Sequence, residues 1–505
     1  MQKGFRSRRF YQCGILSERA CSPRSENLLL PVLRCRIGRR NLLKPVGARC
    51  FVFIAAAAMA GGLTSCATYQ PLPLSQRTDL GMSLASLKTL SPRSGGRAFQ
   101  KIDVTRPLTI DQIGLLAILN DPQLKSERGI IDVAGAEVVK ATLIPNPVAN
   151  ISYGALISGA ATTSSLSAGL SQDLAAIITR HARYKSAVFH LHQVDADQLW
   201  REWQVAEKAR QLAADIHSAG LSIALTRQEV TLLSQEIAQV KKAIATGNAT
   251  LAAQAPLAAA QAVAENSLIT LRLSRLKNWQ TLDHLLGLDS KVRFRIARPA
   301  LGRLPRDIES LLADLPERRP DLTALRLGYD SADQNVRAAI LGQFPAPALG
   351  GSYGKDTSDV VTAGPTFDFA LPVFDRNQGG VARTAATRLL LRAQYQARLD
   401  SAVANAHALV AQIRQLSADL VTARRAAASA ESLAATAQQA YSQHNLDQRT
   451  LTDYETTALE RRLVVITIEQ QVNQDKIFLA VELGLGLPRT RIALSTPVRF
   501  PPAGR

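Results

Sequence analysis

Cysteine is confined to one end of this chain: all five of its cysteines fall within the first 66 of 505 residues, at Cys13, Cys21, Cys35, Cys50 and Cys66. The body of the protein therefore has neither a disulfide framework nor a Cys-based metal site. Methionine is nearly as scarce, and Met82 is the only one after Cys66, so no Met/Cys relay for soft metals is present. A hydrophobic content of 46% is too low for a polytopic helical membrane protein, while the balance with 20% charged residues excludes a disordered or collagen-like chain. Acidic residues are almost missing from residues 1–49, where 12 Lys/Arg face only Glu18 and Glu26. Without residues 1–65 the net charge falls from +19 to +9, an excess that reads as spread out and gives no sign of a nucleic-acid partner.

The basic stretch is followed by an uncharged run from Cys50 to Ser65 with the apolar core Phe51–Ala60. That order of a charged and then an apolar region is that of an export signal, too short to span a membrane as a folded helix. An n-region of about fifty residues exceeds the usual 15–30 for a whole signal peptide, which places the expected translation start downstream of Met1. Leu63-Thr64-Ser65-Cys66 resembles the lipobox of bacterial lipoproteins, which makes Cys66 the expected site of lipid attachment and the new N-terminus. No cofactor is expected apart from this covalent lipid.

Past the signal, the sequence can be laid over itself at a spacing of roughly 200 residues. Asn120-Asp121-Pro122-Gln123-Leu124 returns as Arg318-Arg319-Pro320-Asp321-Leu322, each opening a helical stretch of about twenty residues. Pro145-Asn146-Pro147 returns as Pro345-Ala346-Pro347, and Ser152-Tyr153-Gly154 as Ser352-Tyr353-Gly354. Period-two alternation comes after the prolines. Ala149, Ile151, Tyr153, Leu166, Ala168, Leu170, Val361, Ala363, Pro365 and Phe367 form the apolar parity; Asn150, Ser152, Ser167, Ser171, Thr362, Thr366 and Asp368 form the polar one. Pro365 is awkward inside a strand and is expected to mark a bulge or a shorter strand.

Each strand pair leads into a run without helix breakers: His181–Thr246 has no Pro and only Gly220, and Val381–Gln443 has neither Gly nor Pro. Helices of such length would reach roughly 100 Å. Gly247-Asn248 and His444-Asn445 mark turns into second helices ending near Gly287 and Gly484, and Val230, Leu233, Ile237, Val240 and Ile244 have coiled-coil seam spacing. The expected organisation is a leader (1–65), an anchor and extended linker (66–104), a first repeat (105–290), a second repeat (305–487) and a C-terminal tail (488–505).

Strands with a lipid-compatible face must close into a barrel, since hydrocarbon tolerates no unpaired edge, and four strands are too few to close one. The chain is therefore expected to share its barrel among subunits. The order Pro-x-Pro, strand pair, Leu371-Pro372-Val373-Phe374-Asp375-Arg376-Asn377-Gln378-Gly379, long helix, turn and Leu451-Thr452-Asp453-Tyr454-Glu455 resembles the outer membrane factor (TolC-like) family of outer-membrane efflux proteins, in its lipoprotein branch. The resemblance implies a mainly α fold with a membrane β-barrel portion: long antiparallel helices forming an α-barrel, four strands per chain and a homotrimer with a twelve-stranded barrel. It further implies a passive outer-membrane exit duct that reaches into the periplasm. Its partners would be outer-membrane lipid, a periplasmic adaptor and an inner-membrane pump of the resistance-nodulation-division type. Channels for type I protein secretion share the architecture, and a non-channel coiled-coil adaptor or scaffold is the rival from another class. No catalytic constellation is found, and the chain is not expected to be an enzyme.

By the same resemblance, the periplasmic aperture would be narrowed just after the second turn, where Asp447, Arg449, Asp453 and Glu455 are the candidates. Repeated in a trimer, such residues form charged rings. The hairpin turns Gly247, Asn248, His444 and Asn445 are the candidate adaptor contacts, although the family usually has Gly where this chain has His444. His190 and His192 are two apart on a helix and point to different sides, so no metal site is assigned. Trp200 and Trp203 read as packing residues, and Gly484-Leu485-Gly486 as a helix end.

Overall fold

A computed structural model of the chain describes residues 69–89, 102–160, 163–345 and 347–485. The expected lipid-attachment site Cys66, the expected leader and the 488–505 tail lie outside the described residues. The chain divides into two units, Met1–Gln76 and Arg77–Arg505. Of the first unit only residues 69–76 are described, and they form neither helix nor strand. All the helices and strands belong, among the described residues, to the second unit.

The first repeat runs α1 (Ile110–Asn120), α2 (Pro122–Glu127), α3 (Gly129–Thr142), β1 (Val148–Gly154), β2 (Ser165–Asp173), α4 (Ala175–Ala245) and α5 (Leu251–Leu285). The second runs α6 (Ile308–Ala313), α7 (Leu315–Arg318), α8 (Pro320–Leu341), β3 (Ala348–Lys355), β4 (Val361–Asp368), α9 (Gln378–Ser442) and α10 (Gln448–Glu482). The twenty-residue stretch expected in each repeat is one helix in the second but is interrupted at Arg128-Gly129 in the first. The long helices have 71 and 65 residues, and their return helices have 35 each.

Local chemistry explains the boundaries. Thr109 and Gln112 form a reciprocal capping box at the start of α1, and the Asp121 carboxylate accepts the Leu124 amide at 2.8 Å at the start of α2. At the far ends, α4, α5, α9 and α10 all stop in the same way. Gly247, Gly287, His444 and Gly484 adopt φ of 77°, 62°, 63° and 64°, and the amide of the following residue turns back to a carbonyl of the last turn. These are Schellman ends, which favour glycine because a side chain is strained at positive φ. Three of the four comply, while His444 bears the strain.

The duplication extends to packing. A Cβ on Gly287 would lie 3.2 Å from the Asn120 carbonyl, and one on Gly484 would lie 2.8 Å from Arg318 Cβ. Asn120 and Arg318 are the residues that the repeated Pro motif aligns, so both hairpins return to the same place in their repeats. Within the segment expected as a linker, the Gly81 amide donates to Gly287 at 2.8 Å, and Leu87 joins the first core.

Two apolar clusters occupy the waist. One gathers Leu108, Ile113 and Leu116 with Leu212, Ile216, Trp279, Leu282 and Ile477; the other gathers Leu315 and Leu322 with Ala402, Ala406, Ile413, Leu479 and Leu483. Between them sits a buried ionic node. Arg319 donates twice to Asp321 (3.0 and 2.8 Å) and also to Glu482, and its guanidinium lies 4.9 Å from the Trp200 ring centroid. Burial opposes the guanidinium charge, but the two carboxylates more than offset it and hold Arg319 above its ordinary range. The node ties α4, α8 and α10 together. Nearby on α4, Glu207 is pushed up to about 7 by burial and by the like charge of Glu482.

These contacts set testable expectations for stability. Gly484→Ala should destabilise the protein by about 2 kcal/mol, through positive φ and the clash with Arg318, whereas His444→Gly should stabilise it by about 0.5–1 kcal/mol, because relief of the left-handed strain exceeds the entropy added to the unfolded chain. Denaturant titration followed by far-UV circular dichroism measures both. A raised carboxylate contributes least when ionised, so Glu207 should erode stability as pH rises from about 4.5 to about 7. Glu207→Gln should therefore melt higher than the parent at pH 8, by about 1–3 kcal/mol, with the gap closing towards pH 4.5; an equal gap at both pH values would refute the assignment.

Candidate functional sites at the strand ladder and helical tips

The four strands form one antiparallel sheet in the order β1-β2-β3-β4. Its register sorts the parities with no exception among the positions named from sequence. Ile151, Ala168, Tyr353 and Ala363 make one cross-strand row, and Tyr153, Leu166, Lys355 and Val361 the next on the same face. The opposite face carries the rows Asn150-Gly169-Ser352-Gly364 and Ser152-Ser167-Gly354-Thr362. Apolar side chains on the first face stand in the open, with Ile151 79% and Phe367 65% exposed. A water-soluble sheet would bury such a face against a second layer.

Pro365 corrects one expectation. It pairs opposite Gly351 within an unbroken register from Val361 to Asp368, with neither a bulge nor a shortened strand. β4 is the edge strand of this chain's sheet, a position that tolerates a residue with no amide proton.

The motif Leu371–Gly379 builds the corner between β4 and α9. Asn377 sits at φ 58° with its amide donating to the Asp375 carboxylate at 2.8 Å, and its side-chain amide donates to the Ala339 carbonyl at 2.8 Å. That bond docks the corner onto the end of α8. Leu371, Val373 and Phe374 remain exposed on it, the last at 93%.

At the opposite end are the two tips. Gly247, Asn248, His444 and Asn445 are all at the turns, and Gly247 and His444 are exposed there. Asp447 is the N-cap of α10: its carboxylate accepts the Thr450 amide at 2.9 Å and the Thr450 hydroxyl at 2.7 Å, bonds that hold it below the ordinary carboxylate range. Arg449 and Asp453 are exposed. Glu455 turns elsewhere, into a groove of about 710 Å³ between α4, α9 and α10 that also holds Arg227, Glu431 and Arg462, and burial raises it.

Another residue at this end is not legible as a site from its sequence position. Glu236 on α4 is 3% exposed and accepts the Thr452 hydroxyl of α10 at 3.3 Å. Burial raises it; the Thr452 bond lowers it, the charges of Asp447 and Asp453 raise it further, and Arg449 lowers it. Asp447, Arg449 and Asp453 thus share an electrostatic neighbourhood centred on Glu236, which Glu455 does not join. The available signal is its place beside the Leu233/Ile237 seam, where flanking charges contact a neighbouring helix.

Among the described residues no group of three or more His, Cys, Asp or Glu side chains is placed to hold a metal ion, and no helix is long and apolar enough to cross a membrane. His190 lies 3.8 Å from Glu137, and Trp203 is buried beside Trp200.

No family model and no curated protein sequence matches the chain. Solved structures do. A membrane protein from Pseudomonas aeruginosa aligns with TM-score 0.64 and 18% identity over 85% of this chain and 100% of that one. The open state of the MtrE outer membrane channel of Neisseria gonorrhoeae aligns at 0.63 and 16% over 84% and 99%, and the outer-membrane channel OprN at 0.61 and 16% over 79% and 99%. The chain has the fold of the outer membrane factor channels, as the motif order implied.

Because Asp447 caps a helix, its substitutions act on stability as well as on charge. Asp447→Ala should cost about 1 kcal/mol and Asp447→Ser close to nothing. Equal melting of the two variants would show that the cap carries no weight.

Proposed function

We propose that the chain is the outer-membrane channel of a tripartite efflux system, closed as a homotrimer with a twelve-stranded barrel and a periplasmic tunnel. The observation that carries this reading is that neither of its layers closes on itself, and both are open in the same sense. The sheet ends in two unlike edges, β1 and β4. The long helices pack as α5-α4-α10-α9, a row that also ends in two unlike edges. A head-to-tail rotation that joins unlike edges closes both rings at once.

In the closed ring the polar parity (Asn150, Ser152, Ser167, Ser171, Thr362, Thr366, Asp368) lines water and the apolar parity meets lipid. The tips point into the periplasm, where Gly247, Asn248, His444 and Asn445 meet an adaptor, and a resistance-nodulation-division pump supplies the energy. Lipid on Cys66 adds a second hold on the membrane. Asp453, Arg449 and Asp447 form the charged constriction, with Glu236 and Thr452 setting the position of α10 against α4.

Purified full-length protein in planar lipid bilayers should give discrete single-channel steps, and chemical cross-linking should stop at the trimer. Absence of steps would overturn the channel and favour an adaptor or scaffold. Asp453→Ala combined with Asp447→Ser, which keeps the cap, should raise the conductance. An unchanged conductance would remove the aperture assignment and leave the channel standing.

A further inference from the structure

The connector between the two repeats holds a feature that the overall charge conceals. Residues 290–306 contain Lys291, Arg293, Arg295, Arg298, Arg303 and Arg306 and no acidic residue, so most of the +9 excess left without the leader is concentrated here rather than spread out. The segment is neither helix nor strand. It is pinned by a parallel bridge between Leu108 and Ile296, in which the Leu108 amide donates to the Arg295 carbonyl at 2.9 Å and the Ala297 amide donates to the Leu108 carbonyl at 2.9 Å.

Alternation does the rest. Val292, Phe294, Ile296 and Leu301 turn into the first apolar cluster and Leu304 into the second, while all six basic side chains are exposed. Successive outward side chains along Lys291-Arg293-Arg295 are thus roughly 7 Å apart, at about 3.3 Å per extended residue. Arg293 is engaged with Asp283 at 2.9 Å and with the Trp279 ring, and Arg298 approaches Glu469 at 4.0 Å. Among the described residues no carboxylate pairs with Lys291, Arg295, Arg303 or Arg306. The molecule keeps a row of unneutralised cations on a fixed backbone.

We infer that this strip is a binding surface for a carboxylate-bearing glycan–peptide polymer, the chemistry of the peptidoglycan. The inference rests on the proposed orientation of the chain in the outer membrane. Ile296 lies beside His217, some forty residues into α4, which puts the strip roughly 60 Å along the helix from β2 at 1.5 Å per residue. Lipid headgroups around the sheet are therefore out of reach, since charge is screened over about 8 Å at physiological salt. A protein partner is disfavoured for another reason. Between Leu276 and Ile340 no large apolar side chain is exposed among the described residues, and of those lining the hollow beside Lys291, Arg293 and Arg295 Met82 alone is exposed, which is too little for the apolar centre that anchors a protein interface. An extended polyanion needs no such anchor. Its carboxylates pair with fixed cations, and release of counterions makes the binding salt-dependent.

Co-sedimentation of the full-length protein in detergent with purified sacculi tests the assignment. The wild type should sediment at low salt and be released as salt rises from about 50 to about 300 mM. Lys291→Gln/Arg295→Gln/Arg303→Gln should reduce capture by about tenfold, and the charge-retaining Lys291→Arg/Arg295→Lys/Arg303→Lys should restore it. Helical circular dichroism and single-channel conductance of the Gln variant should match the wild type, which separates failure of the strip from failure of the channel. Wild-type protein that stays in the supernatant, or a Gln variant captured like the wild type, overturns the inference. Capture by phosphatidylglycerol vesicles but not by sacculi overturns it in favour of lipid headgroups.

Discussion

A sheet edge is a row of amide and carbonyl groups that must find partners, and in hydrocarbon no water is present to supply them. This chain ends its sheet at β1 on one side and β4 on the other, with apolar side chains exposed across one face. Much of the rest of the architecture is a way of living with that constraint. The row of long helices repeats the unlike-edged order of the strands, so in the proposed ring one symmetry operation would satisfy sheet and helices together. A chain whose helices and strands had different open edges would need two incompatible assemblies.

The distribution of packing then decides what is rigid. The two large apolar clusters and the Arg319 node lie at the waist, where the return helices end and the Pro motifs of both repeats begin. Removing one partner of such a buried ion cluster leaves an uncompensated charge, an expensive defect, so the node fixes the angle between α4, α8 and α10 more than it adds net stability. Towards the tips the buried apolar cluster shrinks to Leu233, Ile237, Leu257 and Ala264. There the buried Glu236 accepts a hydroxyl bond from Thr452 across the hairpins. The charged residues thus cluster where apolar burial is less than at the waist.

Much of this was legible in the sequence, and the reason is periodicity. A duplicated unit exposes itself by spacing, a strand by period two, and a long helix by its want of Gly and Pro. The turns at Gly247 and His444 fell where the helical runs stopped, and the polar and apolar parities of β1, β2 and β4 match the register. What stayed hidden needed three dimensions. Glu236 and Thr452 are 216 positions apart and meet only because α4 and α10 are neighbours. The parity of β3 is blurred by Gly350, Gly351 and Gly354, which carry no side chain to alternate. A charge total over the whole chain averages the cationic connector away. That Pro365 keeps the register depends on β4 bordering the open side of this chain's own sheet, which its sequence position does not reveal.

Those strand glycines point to a last physical requirement. A Cβ on Gly350 would lie 2.4 Å from the Leu170 carbonyl, one on Gly169 2.2 Å from the Asn150 side chain, and one on Gly154 2.5 Å from the Ser165 hydroxyl. Gly350, Gly169 and Gly154 belong to the polar face, whose other positions are mostly Ser, Thr and Asn. A sheet that curls crowds the side chains on its concave side and spreads those on its convex side. The polar face is thus also the face of small residues, while Tyr, Phe, Ile and Leu occupy the other. Polarity alone would have been met by Gln, Glu or Lys; the use of Gly, Ser and Thr keeps the polar face small as well as wettable, and at Gly154, Gly169 and Gly350 the neighbouring strands leave no room for a Cβ.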